Sequence, residues 1–303
     1  MNDFDNFIAS AISRSDSYKV THWPQYPPGT TKVGSYRESR GGKFPATLSI
    51  GNQLILKKHF VGEQATEAAI HFAEKFYATH LGGNYFNRVG WNMIKNDHKG
   101  RLPLLIKTAP EGTLVPVSNV LSTYVNTDDR LWWLTNYAET VLSQTWYPET
   151  IATNSFFCKR LIKQYLEETG DPALLAFKLH DFGYRGVSCV EQAGIGGMAH
   201  LVNFMGTDTV EGILTAKRYY GADICGFSIP ASEHSTITSW GLDNEEKAFD
   251  NMLTIYPEGV FACVSDGKDI YAACDKIWGE ILRDKVLARK GTLVIRPDSG
   301  NPP

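Results

Sequence analysis

The sequence predicts an α/β fold: an incomplete (β/α) barrel over residues 148–303, preceded by a mixed α+β domain over residues 1–147. Three observations carry the prediction. First, the second half holds short apolar runs that each end in polar side chains, at 178–185, 206–209, 224–230, 260–266 and 293–300. Buried parallel strands read as near-continuous apolar runs, and in α/β barrels the chemistry sits on the loops at their C-terminal ends. Second, Ile270, Cys274, Ile277, Trp278, Ile281, Leu282 and Val286 form a helical stripe between the fourth and fifth runs, as strand and helix alternation requires. Third, a closed barrel needs ~250 residues and about half that length follows the first run. An unclosed sheet would expose an edge, so length predicts a truncated or split chain.

In the first half, Gln25-Tyr26-Pro27-Pro28-Gly29 predicts a turn, residues 30–36 an extended stretch, and Arg40-Gly41-Gly42-Lys43 a loop. That glycine pair does not belong to a phosphate loop of the GxxxxGK(S/T) kind. Ala69, Phe72, Ala73, Phe76 and Tyr77 recur at helical spacing, with Gly82 as a stop, which predicts a helix over 66–81. Residues 102–107 and 113–117 read as strands paired around Pro110-Glu111-Gly112. Helices are predicted over 130–146 and 148–169, the second with Pro148 in its first turn and Gly170 at its end. Gly194-Ile195-Gly196-Gly197 fits a phosphate cradle or close packing, and packing is favoured.

Composition excludes several classes. The chain has 303 residues, 43% hydrophobic and 21% charged, enough for one or two domains. No run approaches the roughly 18 apolar residues of a membrane span, so no membrane role is expected. The acidic start Met1-Asn2-Asp3-Phe4-Asp5-Asn6 lacks the basic and apolar regions of a secretory signal, which predicts a cytoplasmic location. The 5 cysteines contain no C-x-x-C pair, which argues against a disulfide framework or zinc site; they are expected to be reduced and mostly small core residues. A net charge of -3 gives no nucleic-acid footprint. G-x-S-x-G and H-E-x-x-H patterns do not occur.

Longer motifs run in order along the chain: Asp16-Ser17-Tyr18-Lys19, Gln25-Tyr26-Pro27-Pro28, Leu134-Thr135-Asn136 and Ser143-Gln144-Thr145-Trp146-Tyr147-Pro148. After them come Leu179-His180-Asp181-Phe182-Gly183-Tyr184-Arg185-Gly186, Gly206-Thr207-Asp208-Thr209-Val210, Ser232-Glu233-His234-Ser235-Thr236 and Arg296-Pro297-Asp298-Ser299-Gly300-Asn301-Pro302. Together they resemble the nicotinamide phosphoribosyltransferase family of type II phosphoribosyltransferases, over the N-terminal part of the family's chain. The resemblance implies a barrel of that family's kind. It implies transfer of a phosphoribosyl group from phosphoribosyl pyrophosphate to nicotinamide, coupled to ATP through a phosphohistidine, with Mg2+ accompanying the pyrophosphate and no caged metal. It further implies a homodimer, and a second polypeptide if the family's remaining barrel half is supplied separately.

The resemblance also implies roles for individual residues. Phe182 would stack on one face of nicotinamide and Tyr18, from the partner subunit, on the other. Asp208 would accept a hydrogen bond from the carboxamide and repel the carboxylate of nicotinic acid; the same Gly-Thr-Asp-Thr string also fits a helix N-cap. Arg296 and Ser265 would complete the nicotinamide pocket. Arg185 and Arg40 would hold phosphates through their guanidinium forks, as would Ser228, and Arg296 could also face them. Asp298 would sit near the ribose hydroxyls or the magnesium ion. His234 would accept the phosphoryl group, oriented by Asp269 with Glu233 alongside. Two other readings stay open: a transferase for nicotinic acid or quinolinate, against which Asp208 argues, and a non-catalytic chain that binds nicotinamide or dimerises.

Overall fold

The computed structural model describes residues 2–301 and divides into two compact units, Met1–Phe227 and Ser228–Pro303. The first unit contains α1 (Asp3–Ala9), β1 (Gly34–Glu38), β2 (Ala46–Leu48), α2 (Asn52–His59), α3 (Glu67–Leu81) and α4 (Arg88–Asp97). It continues through β3 (Leu104–Thr108), β4 (Leu114–Pro116), β5 (Val120–Asn126), α5 (Leu134–Leu142), α6 (Trp146–Thr169), α7 (Val190–His200) and α8 (Val210–Tyr220). The helix predicted from its apolar spacing is α3. Thr66 accepts a hydrogen bond from the Ala69 amide at its start, and Gly82 ends it at φ 71°, the left-handed conformation that glycine adopts at least cost.

Strand pairing differs from expectation. The hairpin predicted around Pro110-Glu111-Gly112 does not form: β3 pairs antiparallel with β5, Leu104 opposite Asn126, while β4 pairs with β2, Pro116 opposite Ala46. Ser49 explains the redirection. Its amide donates to Thr113 O at 2.9 Å and its carbonyl accepts from Gly112 N at 2.8 Å, so the segment after the turn is claimed by the β2 side. The seven-residue β5 is left to join β1 and β3 in the order β1-β5-β3.

The domain boundary also moves, from residue 147 to Phe227, because α6 belongs to the first unit's core. Ala152 on α6 shares a buried cluster with Leu48, Leu54, Met198 and Ala199, and Leu48 N donates to Thr153 Oγ1 at 2.9 Å. The glycines of α7 serve packing. A Cβ on Gly212 of α8 would lie 2.7–2.8 Å from the Gly197 backbone, nearer than real contacts allow, so the two helices cross where neither carries a side chain.

Beyond α6 the apolar runs become parallel strand ends. Asp181 pairs with Thr207 and Gly206 with Phe227, each as an isolated parallel bridge. They stay short because each run holds few consecutive apolar residues before its polar cluster. In the second unit come α9 (His234–Thr238), α10 (Glu245–Ile255), β6 (Phe261–Val264), α11 (Ile270–Ala272), a π-helical segment (Ala273–Ile281), α12 (Arg283–Ala288) and β7 (Leu293–Arg296). All four residues of β6 are buried, and β6 runs parallel to β7 with Phe261 opposite Leu293 and Val264 opposite Arg296. Parallel strand ends alternating with helices in both units place the chain in the α/β class.

The predicted 270–286 helix is interrupted. The wider π turn changes the period, so Trp278 and Leu282 reach the core while Ile281 is exposed. The cysteines correct another expectation: Cys263 is the buried one, Cys158 and Cys225 are half-buried, and Cys189 and Cys274 are exposed. Burial pushes the Cys263 thiol up to about 11, which leaves it protonated and inert at neutral pH. Among the described residues no helix is long and apolar enough to cross a membrane.

Candidate active site

The predicted site residues fall into two groups, one in each unit. In the first unit the parallel register fixes Asp208 beside Asp181, because Asp208 N donates to Asp181 O at 2.9 Å and Asp181 N to Gly206 O at 3.0 Å. Asp208 Oδ1 lies 3.3 Å from His180 Nε2. The His180 ring stands 4.6 Å from that of Phe182, tilted by 36°. Phe182 is 57% exposed. Thr209 holds the N-cap position of α8, with Asp208 one residue before it.

Asp181 is occupied internally. Its carboxylate accepts from Gly183 N at 2.7 Å and from Thr207 Oγ1 at 3.2 Å, which shapes the turn that presents Phe182. A cavity of about 260 Å³ borders this turn, lined among others by Tyr147, His180, Asp181, Phe182 and His200. Burial pushes His200 below the usual histidine range, while the nearby Asp181 opposes the shift. Arg185 is exposed on the short 3-10 turn Gly183–Gly186. Tyr18 is exposed on the 3-10 turn Ser17–Thr21, edge-on to His22 at 4.7 Å. Arg40 borders a separate cavity of about 550 Å³ together with Lys43, Phe44 and Trp146.

The second group is centred on His234, at the start of α9. Its Nε2 lies 3.0 Å from Asp266 Oδ1, and its Nδ1 faces Asp298 Oδ2 at 3.6 Å. Asp266 sits just past the end of β6. Its other oxygen accepts from Asp298 N at 2.8 Å and from Ser299 N and Ser299 Oγ, both at 2.6 Å. Burial works against the Asp266 charge, but the Ser299 hydroxyl and the amides of Asp298 and Ser299 outweigh it and hold the carboxyl well below the usual range. Arg296 Nη2 donates to Ser232 O at 3.1 Å, and its Nε lies 3.9 Å from Asp298 Oδ1. Ser228 is exposed at the start of this unit.

Three expected roles are corrected. Asp266, not Asp269, faces His234; the Asp269 carboxylate caps α11 by accepting from Tyr271 N and Ala272 N at 2.9 and 3.1 Å. Ser265 is fully buried, its hydroxyl donating to Cys263 O at 3.0 Å and accepting from Trp278 Nε1 at 3.1 Å, so it pins the core instead of meeting a ligand. Glu233 forms a capping box with Thr236 at the N-terminus of α9 and also bonds the Ser235 hydroxyl, so it fixes the helix that bears His234. Sequence reasoning passed over Asp266, Ser299 and His180. Asp266 had a signal, as a carboxylate following directly on the apolar run of β6. Among the described residues no group of three or more His, Cys, Asp or Glu side chains could hold a metal ion.

Comparison with known proteins converges on one family. Residues 10–106 match the N-terminal domain model of nicotinamide phosphoribosyltransferase, and residues 177–303 match the nicotinate phosphoribosyltransferase family. A nicotinamide phosphoribosyltransferase of Xanthomonas campestris is 46% identical over 301 residues, 98% of this chain and 64% of the relative. The chain resembles the N-terminal part of the nicotinamide phosphoribosyltransferase family. Another member, from Acinetobacter baylyi, is 32% identical over 98% of this chain and 63% of its own length. The chain therefore spans somewhat less than two thirds of these relatives. The crystal structure of human nicotinic acid phosphoribosyltransferase superposes with a TM-score of 0.57 at 13% identity, covering 94% of this chain and 61% of that one. That likeness shows a shared fold.

Proposed function

We propose that the protein transfers the phosphoribosyl group of phosphoribosyl pyrophosphate to nicotinamide, giving nicotinamide mononucleotide and pyrophosphate in NAD salvage. The observation that carries the reading is the Asp208 carboxylate held at a parallel strand end in the same turn cluster as the exposed Phe182 ring. The names of the relatives at 46% and 32% identity support it. Nicotinamide is flat and neutral: its ring stacks on Phe182, with Tyr18 of the other subunit of a homodimer on the opposite face, and its amide N–H donates to Asp208. Nicotinic acid would set a second carboxylate against Asp208, which costs affinity through like-charge repulsion. Arg185 and Arg40 hold phosphate oxygens.

In the transfer, the lone pair of the pyridine nitrogen forms the bond to the anomeric carbon. The bond from that carbon to the pyrophosphate oxygen breaks, and its electron pair leaves on pyrophosphate. The sugar passes through positive charge, so cations belong on the departing phosphates and carboxylates such as Asp298 near the ribose. Magnesium bound to pyrophosphate would neutralise leaving-group charge.

His234 couples the reaction to ATP. Asp266 accepts a hydrogen bond from Nε2–H, which leaves the Nδ1 lone pair to attack the terminal phosphorus of ATP as the bond from that phosphorus to the ADP oxygen breaks. The test is formation of nicotinamide mononucleotide from nicotinamide, phosphoribosyl pyrophosphate, magnesium and ATP, followed by mass spectrometry. Product supports the reading. His234→Ala should abolish ATP stimulation and retain some transfer, and undiminished stimulation in that variant contradicts the coupling. Bound nicotinamide without turnover favours a binding chain instead.

A further inference from the structure

A buried ion pair stands directly before the loop that carries Arg40. Arg37, on β1, donates from Nη1 and Nη2 to Glu149 Oε2 and Oε1 at 2.6 and 2.7 Å. Its side chain is 14% exposed and that of Glu149 3%. Glu149 lies in the first turn of α6, so the fork ties the end of a strand to the start of a helix. The β1–β5 register shifts between Arg37 and Glu38, and a bulge of this kind re-aims the chain that follows. The next residues run through Gly41 at φ 107° and Gly42 at φ 146°, conformations in which only glycine is unstrained. Arg37, Arg40, Lys43 and Glu149 all line the 550 Å³ cavity.

Stability alone does not account for the pair. Burial pushes the Glu149 carboxyl up even with Arg37 against it, and a buried ion pair is often no better than two well-packed apolar side chains. An apolar pair would lack two properties. A bidentate fork fixes orientation in its plane. The arginine also cancels the Glu149 charge, which leaves Glu38 as the remaining carboxylate in the wall that Arg40 and Lys43 share.

We propose that Arg37 and Glu149 are positioning residues that set the Arg40 loop, so that Arg40 and Lys43 together present a cationic edge to the phosphates of phosphoribosyl pyrophosphate. The proposal rests on the phosphoribosyl-transfer reading.

The test is a double-variant cycle on the full-length protein. Arg40→Ala and Arg37→Met should each raise the KM for phosphoribosyl pyrophosphate about tenfold, leave the KM for nicotinamide within about twofold, and combine to little more than either alone. Arg37→Lys, which keeps the charge and loses the fork, should fall between wild type and Arg37→Met, and it carries the test if Arg37→Met fails to fold. Equal rises in both KM values, or independent multiplication of the two effects, would overturn the pair's positioning role. If the unmodified protein forms no nicotinamide mononucleotide, the transferase reading fails. The same cycle is then read by calorimetry with inorganic pyrophosphate: coupled weakening by the two variants upholds the pair, and unchanged or additive binding rejects it.

Discussion

At the residue scale, Asp266 shows how a carboxylate can be kept charged beside a histidine. It receives three hydrogen bonds from Asp298 and Ser299 in addition to its contact with His234, and donors of this kind favour the ionised form. Its folded-state pKa is depressed, so its contribution to stability is complete above the unfolded carboxyl value of about 3.9 and is lost as pH falls through the lower folded value. Asp266→Asn should therefore flatten the fall in urea midpoint between pH 5 and pH 2.5. The same variant should reduce ATP stimulation about tenfold or more, the usual effect of removing a group that orients a functional histidine. A variant with unchanged ATP dependence would separate Asp266 from His234.

At the element scale, the crossing of α7 and α8 carries the strand ends of the first group. Gly212→Ala would push a methyl group into the Gly197 backbone and should cost about 1–3 kcal/mol, read as a lower melting temperature with reduced nicotinamide binding. His59, at the end of α2, provides a pH signature. Burial, then the charges of Arg14 and Lys58, lower it from 6.5 to about 4. The unfolded chain takes up that proton first, so stability should fall as pH drops from about 6.5 to about 4. His59→Gln should lessen the slope, measured as melting temperature against pH. Much at this scale was readable in advance: Thr66 and Gly82 mark both ends of α3, and the apolar runs locate the strand ends. The pairing of β3 and β4 was not, because Ser49 and β5, distant in sequence, decide it. The period change at the π-helical segment Ala273–Ile281 left no local signal either. Arg37 and Glu149, 112 residues apart, are joined only by the fold.

At the scale of the whole molecule, each unit holds its own group of candidate residues: the exposed Phe182 ring and Asp208 in the first, and His234 with Asp266 and Asp298 in the second. Motif order along the chain made these residues recognisable as candidates, but spacing could not say which of Asp266 and Asp269 meets His234, since both follow β6 within five residues. The central claim is that Asp208 selects a neutral pyridine carboxamide for phosphoribosyl transfer. The most direct measurement compares kcat/KM for nicotinamide and nicotinic acid in the unmodified protein and in Asp208→Ala, with phosphoribosyl pyrophosphate, magnesium and ATP present. The account predicts a preference for nicotinamide of about 100-fold or more in the unmodified protein, reduced at least tenfold by the substitution. Equal use of the two substrates by the unmodified protein would contradict it.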